Sequence, residues 1–308
     1  MGNRRISANT RVCGIIGYPV RHSASPAMQN AAFEAVGLDW VYVAFEVQPG
    51  QVADAIRGAK AMKLVGLNVT VPHKVAVLEV LDWLDENARR WGAVNTIRLE
   101  GVGLDNQWVP IHQLELKYDG PIRAAGFNTD GIGFIRSLRE DLGFEPLNKR
   151  VLVVGMGGAG RVVAMQLVAA GVTEIYLVNR TQSKAVEVAR EINLRWPAVK
   201  VTIGYPKSEV DLLVNATSLG MNSCDPLPVD LREFSMELVG AVYDLVYRPA
   251  ETALMRKARE FGIAVANGLG MLLYQGAAAF ELWTGRQAPV QAMRCALEKE
   301  IYGCSTVD

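Results

Sequence analysis

RVLVVGMGGAG, residues 150–160, packs a strand, a turn and a helix start into one short stretch. Val151–Val154 is an apolar run of buried-strand length. Gly155-x-Gly157-x-x-Gly160 follows, and Gly160–Ala170 reads as a helix. Glycines at this spacing carry little weight alone. Between the strand and the helix of one βαβ unit they make a dinucleotide-binding turn. Gly155 permits the tight turn, Gly157 lets the backbone approach a pyrophosphate, and Gly160 allows close helix packing. The unpaired N–H groups of the helix start supply the anion site.

The next strand, Glu174–Val178, ends at Asn179-Arg180-Thr181. NAD enzymes usually place an Asp or Glu about 20 residues on, to grip the ribose 2′-hydroxyl. No carboxylate stands here to repel a phosphate, and an Arg beside a hydroxyl suits one. The expected cofactor is NADP rather than NAD. Beyond it come a helix at Lys184–Leu194 and strands at Leu212–Asn215, Ala241–Asp244 and Ile263–Ala266. Helices at Met271–Trp283 and Val290–Ile301 close the chain.

Upstream the same alternation holds, which argues for an α/β chain with mostly parallel sheets. Strands are expected at Val12–Tyr18, Trp40–Glu46, Leu64–Val71 and Asn95–Leu99. Helices are expected at Pro26–Val36, closed by Gly37, and at Val52–Lys63, Val75–Leu84 and Gly131–Leu142. Glu100–Ala125 holds Gly101, Gly103, Pro110, Gly120 and Pro121 and reads as a long hairpin-like excursion, with a strand at His112–Lys117. Glu145-Pro146 reads as a linker. With 308 residues, two domains are expected, meeting near residue 140.

Lys plus Arg balance Asp plus Glu, so nothing points to nucleic acid or to an anionic membrane. No apolar run reaches the roughly 18 residues of a membrane span. The polar start, Met1–Arg11, does not read as a signal peptide. Cys13, Cys224, Cys295 and Cys304 lack CxxC spacing and read as reduced thiols of a cytoplasmic protein, with no metal site. Small molecules are the expected partners.

HSASP, residues 22–26, precedes a helix. Ser25 fits the N-cap and Pro26 the first helical position. Ser23 is surplus to capping, and the stretch reads equally as a plain helix start or, with two hydroxyls beside it, as a carboxylate receptor. GLNVTVPHK, residues 66–74, ends a strand on Pro72 and leaves Lys74 just beyond it. Asn68 and Thr70 share one face of that strand. FNTDG, residues 127–131, repeats the design with Asn128, Thr129 and Asp130 before a helix. A Lys beside an Asp gives an acid/base unit that exchanges a proton with a substrate hydroxyl. From spacing alone, a surface Lys and an N-cap Asp are the better-supported reading.

With these motifs in order, and with GAVNTI (92–97), NATSLGM (215–221), YDLVYRP (243–249) and NGLGMLLYQGAAAFELWTG (267–285), the chain resembles the shikimate/quinate dehydrogenase family. The resemblance implies an N-terminal α/β substrate domain of residues 1–140 plus 272–308. It also implies a Rossmann domain of residues 141–271, with a cleft between the two. It implies NADP-linked interconversion of shikimate and 3-dehydroshikimate in the route to aromatic amino acids. Ser23 and Ser25 would take the carboxylate. Asn68, Thr70, Asn95 and Gln275 would hold ring hydroxyls, with Tyr247 nearby, and Lys74 and Asp130 would be the catalytic pair. Gly155, Gly157, Gly158 and Ala159 would cradle the pyrophosphate. Asn179, Arg180 and Thr181 would take the adenosine ribose and its 2′-phosphate, and Met221 and Gly270 would lie near the nicotinamide.

The family also holds members that use quinate or NAD, or that act on a related hydroxy acid, and it leaves room for a homodimer. Three features depart from its usual pattern. Residues 98–127 are longer than the common short hairpin, Asn267 stands where Asp is common, and Arg248 stands where Asn is common.

Overall fold

A computed structural model describes residues 6–115 and 117–303. The chain divides into two compact units, Met1–Asp130 with Gln275–Asp308, and Gly131–Tyr274. The division after Asp130 falls ahead of the helix that follows FNTDG, so that helix belongs to the second unit.

The first unit opens with β1 (Arg11–Gly17), α1 (Ser25–Ala35), β2 (Trp40–Glu46), α2 (Val52–Ala61) and β3 (Gly66–Val69). Then come α3 (His73–Ala76), β4 (Trp83–Leu84), α4 (Glu86–Trp91), β5 (Thr96–Val102), β6 (Trp108–Pro110) and β7 (Ile122–Phe127). The sheet runs β2-β1-β3-β5-β7-β4, with β6 paired to β5. β1 is parallel to β2 and β3, and β4 to β7; β5 runs against β3, β6 and β7. That reversal positions the site. It brings the start of β5 beside the ends of β3 and β7, with Asn68 opposite Thr96 and Thr96 opposite Phe127.

The core of this unit is built from Ile16, Leu67, Val69, Ile97, Leu99 and Ala124 with Ile56 and Ile111. A Cβ on Gly66 would lie 2.2 Å from the indole nitrogen of Trp283. The glycine admits that ring, whose N–H donates to the Ile97 carbonyl at 2.9 Å.

The second unit contains α5 (Asp130–Leu142) from Gly131 on, then β8 (Arg150–Val154), α6 (Gly158–Ala169), β9 (Glu174–Val178), α7 (Gln182–Arg195), β10 (Lys200–Ile203) and β11 (Leu212–Asn215). It continues through β12 (Ala241–Asp244), α8 (Ala253–Glu260) and β13 (Ala264–Asn267) into α9 (Leu269–Thr284). The sheet is all parallel, in the order β10-β9-β8-β11-β12-β13. With β8 as first strand this is the 3-2-1-4-5-6 order of a dinucleotide-binding fold. The chain re-enters the first unit within α9 and ends with α10 (Val290–Tyr302).

Several elements depart from the sequence reading. The expected helix Val75–Leu84 is only α3 and a 3₁₀ turn at Val77–Val80. Leu81 is extended, and Trp83–Leu84 then pairs with Ala125 and Gly126. The expected strand at His112–Lys117 begins instead as a 3₁₀ turn, Ile111–Gln113. Leu116 lies outside the described residues, as does Cys304. The hairpin expected for Glu100–Ala125 is present as β5 and β7, with β6 inside the connection. Ser25 is the first helical residue of α1, and Ala24 takes the N-cap position expected for it.

Candidate active site

The Val71–Pro72 step closes β3, and α3 begins at His73. Lys74 Nζ stands 2.7 Å from Asp130 Oδ2, both side chains being partly buried. The other carboxylate oxygen accepts from Asn95 Nδ2 at 2.9 Å. Asp130 is held by its own turn, its N–H donating to Asn128 Oδ1 at 3.1 Å while Asn128 Nδ2 donates to the Ala93 carbonyl.

The amide of Asn95 has one orientation. The Thr129 N–H, which can only donate, lies 2.8 Å from its Oδ1, so Nδ2 must face the acid. The same Nδ2 lies 2.9 Å from Thr129 Oγ1 and 3.2 Å from Gln275 Oε1. Asn68 is fixed in the same way. Its Nδ2 donates to the Asn95 carbonyl and to Thr96 Oγ1, both at 3.1 Å, which turns Oδ1 toward the Tyr42 hydroxyl at 2.7 Å. Lys74, Asn68, Asn95, Asp130 and Gln275, named from the sequence, thus form one cluster in the first unit.

His73 takes no part in it. It is buried, and its Nε2 donates to the Val47 carbonyl at 2.7 Å. It is a satisfied core histidine next to Lys74. Ser23 Oγ accepts from the Ser25 N–H at 3.3 Å. Burial raises the Tyr42 phenol well above its ordinary range. No motif marks Tyr42, and Thr96 lies within GAVNTI without a role assigned to it. The signal for both is position, on β2 and β5 beside residues given roles.

In the second unit the glycines divide by what surrounds them. Gly155 has φ +98, and a Cβ on Gly160 would lie 1.7 Å from the Gly155 carbonyl oxygen. These two serve the turn and the packing. A Cβ on Gly157 or Gly158 would meet nothing within 4 Å. Their backbone faces open space at the start of α6, where free N–H groups suit an anion. Asn179 ties this turn to the end of β9, accepting from the Met156 N–H at 2.8 Å and donating to the Thr181 carbonyl at 2.7 Å.

A cavity of about 1080 Å³ runs past Gly155, Gly157, Asn179, Arg180, Thr181 and Lys184. Two cations and a hydroxyl gather at the end of β9, where an NAD-specific site would hold a carboxylate. The donor set fits a dinucleotide with a 2′-phosphate. Lys184 was not foreseen, because a Lys in the first turn of a helix carries no special spacing.

Met221, Gly270 and Tyr247 also belong to the second unit. Gly270 has a packing reason of its own, since a Cβ there would lie 1.8 Å from Asp141 Oδ2 and 2.2 Å from Ser137 Oγ. Asn267, one of the departures, donates to the Ala250 carbonyl and accepts from the Leu269 N–H, a bridge an Asp could make only by half.

Residues 15–97 match the family described as the shikimate dehydrogenase substrate binding domain. Residues 140–219 match shikimate / quinate 5-dehydrogenase, and 268–298 the shikimate 5'-dehydrogenase C-terminal domain. A protein of Desulforamulus reducens, named shikimate dehydrogenase (NADP(+)), is 43% identical over 98% of this chain and 99% of its own length. The chain belongs to the shikimate/quinate dehydrogenase family. Among solved structures of the family, a shikimate dehydrogenase in complex with NADP+ superposes with a TM-score of 0.81 at 39% identity, covering 96% of this chain and 98% of its own. A shikimate 5-dehydrogenase of Thermus thermophilus, in complex with NADP(H) and shikimate, gives a TM-score of 0.75 at 35% identity, covering 94% and 99%.

Proposed function

We propose that the protein is an NADP-dependent dehydrogenase that interconverts shikimate and 3-dehydroshikimate. The observation that carries the reading is the Lys74–Asp130 pair at 2.7 Å, braced by Asn95 at the meeting of β3, β5 and β7. It is supported by the 43% identity to a shikimate dehydrogenase (NADP(+)) over nearly the whole chain.

In the reducing direction Lys74 donates a proton from Nζ to the forming alkoxide, so the product leaves as an alcohol. Asp130 holds the ammonium in place and balances its charge. In the oxidising direction Lys74 takes the hydroxyl proton back. Ser23 and Ser25 bind the ring carboxylate. Asn68, Thr70, Asn95 and Gln275 hold ring hydroxyls, and Tyr247 completes the set. NADP, when bound, supplies the two-electron hydride donor or acceptor. Gly155, Gly157, Gly158 and Ala159 receive its pyrophosphate. Asn179, Arg180 and Thr181 receive its ribose and 2′-phosphate, and Met221 and Gly270 its nicotinamide end. The pair needs no metal for this proton transfer. A homodimer and a cytoplasmic location are part of the same reading.

The test is a steady-state matrix of shikimate and quinate against NAD and NADP. Shikimate with NADP should give the largest kcat/KM. A larger value for quinate with NAD would replace this reading with the quinate one.

A further inference from the structure

Tyr42 is fully buried, and nothing in the reaction just described uses it. Its backbone is clamped by Asn30, which donates to the Tyr42 carbonyl at 2.8 Å and accepts from the Tyr42 N–H at 2.9 Å. Its ring packs 6.0 Å from that of Trp283. Its hydroxyl donates at 2.7 Å to Asn68, a proposed substrate-binding side chain.

The direction of these hydrogen bonds is forced. Asn68 spends both amide protons on the Asn95 carbonyl and Thr96 Oγ1. Its Oδ1 therefore accepts the single proton of the Tyr42 hydroxyl. Asn68 is left with one free lone pair and no free N–H, so toward a ligand it acts as an acceptor.

We propose that Tyr42 is a positioning residue that sets this polarity. It presents Asn68 as acceptor to a ring hydroxyl. The inference rests on the shikimate reading, because it assigns the direction of that substrate's contacts. The complementary ligand is a cyclic hydroxy acid whose hydroxyl donates into the protein at Asn68. Through Asn68, Thr96 and Asn95 the same chain continues to Asp130. Tyr42 and the acid/base pair are thereby joined by one set of hydrogen bonds.

The experiment compares the wild type with Tyr42→Phe, Asn68→Ala and the double variant, using shikimate and NADP. Tyr42→Phe keeps the ring and removes only the hydroxyl, leaving Asn68 Oδ1 without its donor. KM for shikimate should rise about ten- to a hundredfold, with kcat within about threefold and KM for NADP unmoved. In the Asn68→Ala background the same change should add less than about threefold, because Tyr42 acts through Asn68. An unchanged shikimate KM overturns the assignment. So does full additivity of the two substitutions, or an equal rise in KM for NADP. An inactive wild type overturns this inference and the shikimate reading together. An active wild type with an unaffected Y42F variant overturns this inference alone.

Discussion

Lys74 and Asp130 are separated by 55 intervening residues, yet their charged atoms lie 2.7 Å apart because β3 and β7 both end where β5 begins. The carboxylate divides its two oxygens, giving Oδ2 to the lysine and Oδ1 to the Asn95 amide. The lysine is thus placed by a carboxylate that is itself held in place.

Lys74→Ala removes the proposed proton carrier and leaves Asp130 with Asn95. The side chain is partly exposed, so little packing is lost. We expect kcat for shikimate oxidation to fall by about three orders of magnitude or more, with an unchanged circular dichroism spectrum and melting temperature. Near-normal turnover would remove Lys74 from the mechanism.

Arg180→Ala should separate the two cofactors. The side chain lies along the cavity at the end of β9 with Thr181 and Lys184. Its guanidinium can pair with a phosphate but has little to offer a ribose hydroxyl. KM for NADP should rise about ten- to a hundredfold and KM for NAD less than about threefold. Lys184→Ala should act in the same direction. A parallel rise for both cofactors would mean that Arg180 supports the fold of the turn rather than the phosphate.

The parts legible in the sequence share a physical origin. Parallel strands buried on both faces read as apolar runs, so Leu212–Asn215 and Ala241–Asp244 were legible to the residue. So was the glycine turn, because backbone approach to a phosphate demands glycine whatever surrounds it. The short elements were hidden. Trp83–Leu84 becomes a strand only because Ala125–Gly126 offers an edge, a partner far along the chain. Lys200–Ile203 is a partly exposed edge strand with little apolar pattern. At the site, the polar side chains that cluster near the strand ends, Lys74, Asn95 and Asp130 among them, were legible as a group. Tyr42 and Thr96 were not, because a buried polar group that binds its neighbours looks in sequence like any other strand residue.

Gly160→Ala tests the packing half of the glycine motif. The new Cβ would lie 1.7 Å from the Gly155 carbonyl oxygen and 3.2 Å from Ala216 Cβ, so α6 must shift from β8. We expect a loss of about 1–3 kcal/mol in unfolding free energy and a marked rise in KM for NADP, since the anion site moves with the helix. Gly158→Ala meets no atom within 4 Å in the protein itself. It should leave stability within about 1 kcal/mol and raise KM for NADP only. Denaturant unfolding and cofactor titration of both variants separate the two roles.

The long segment between β5 and β7 folds onto the first core, with Ile111 buried and Leu114 and Tyr118 packed against the same cluster. His112 follows Ile111, its ring 5.0 Å from Trp40 and its Nδ1 buried without a partner. Burial, reinforced by Arg11, Arg286 and Arg98, lowers its pKa to about 4 from an ordinary 6.5. The folded state therefore resists a proton that the unfolded chain accepts. The stability that neutral His112 permits is complete above about pH 6.5, falls as pH drops, and is lost by about pH 4. His112→Gln cannot take the proton and should abolish this part of the slope. Urea midpoints at pH 7, 5.5 and 4.5 should show the wild type losing ground to H112Q as the solution is acidified. A constant difference between the two proteins across that range would mean that His112 titrates alike in both states.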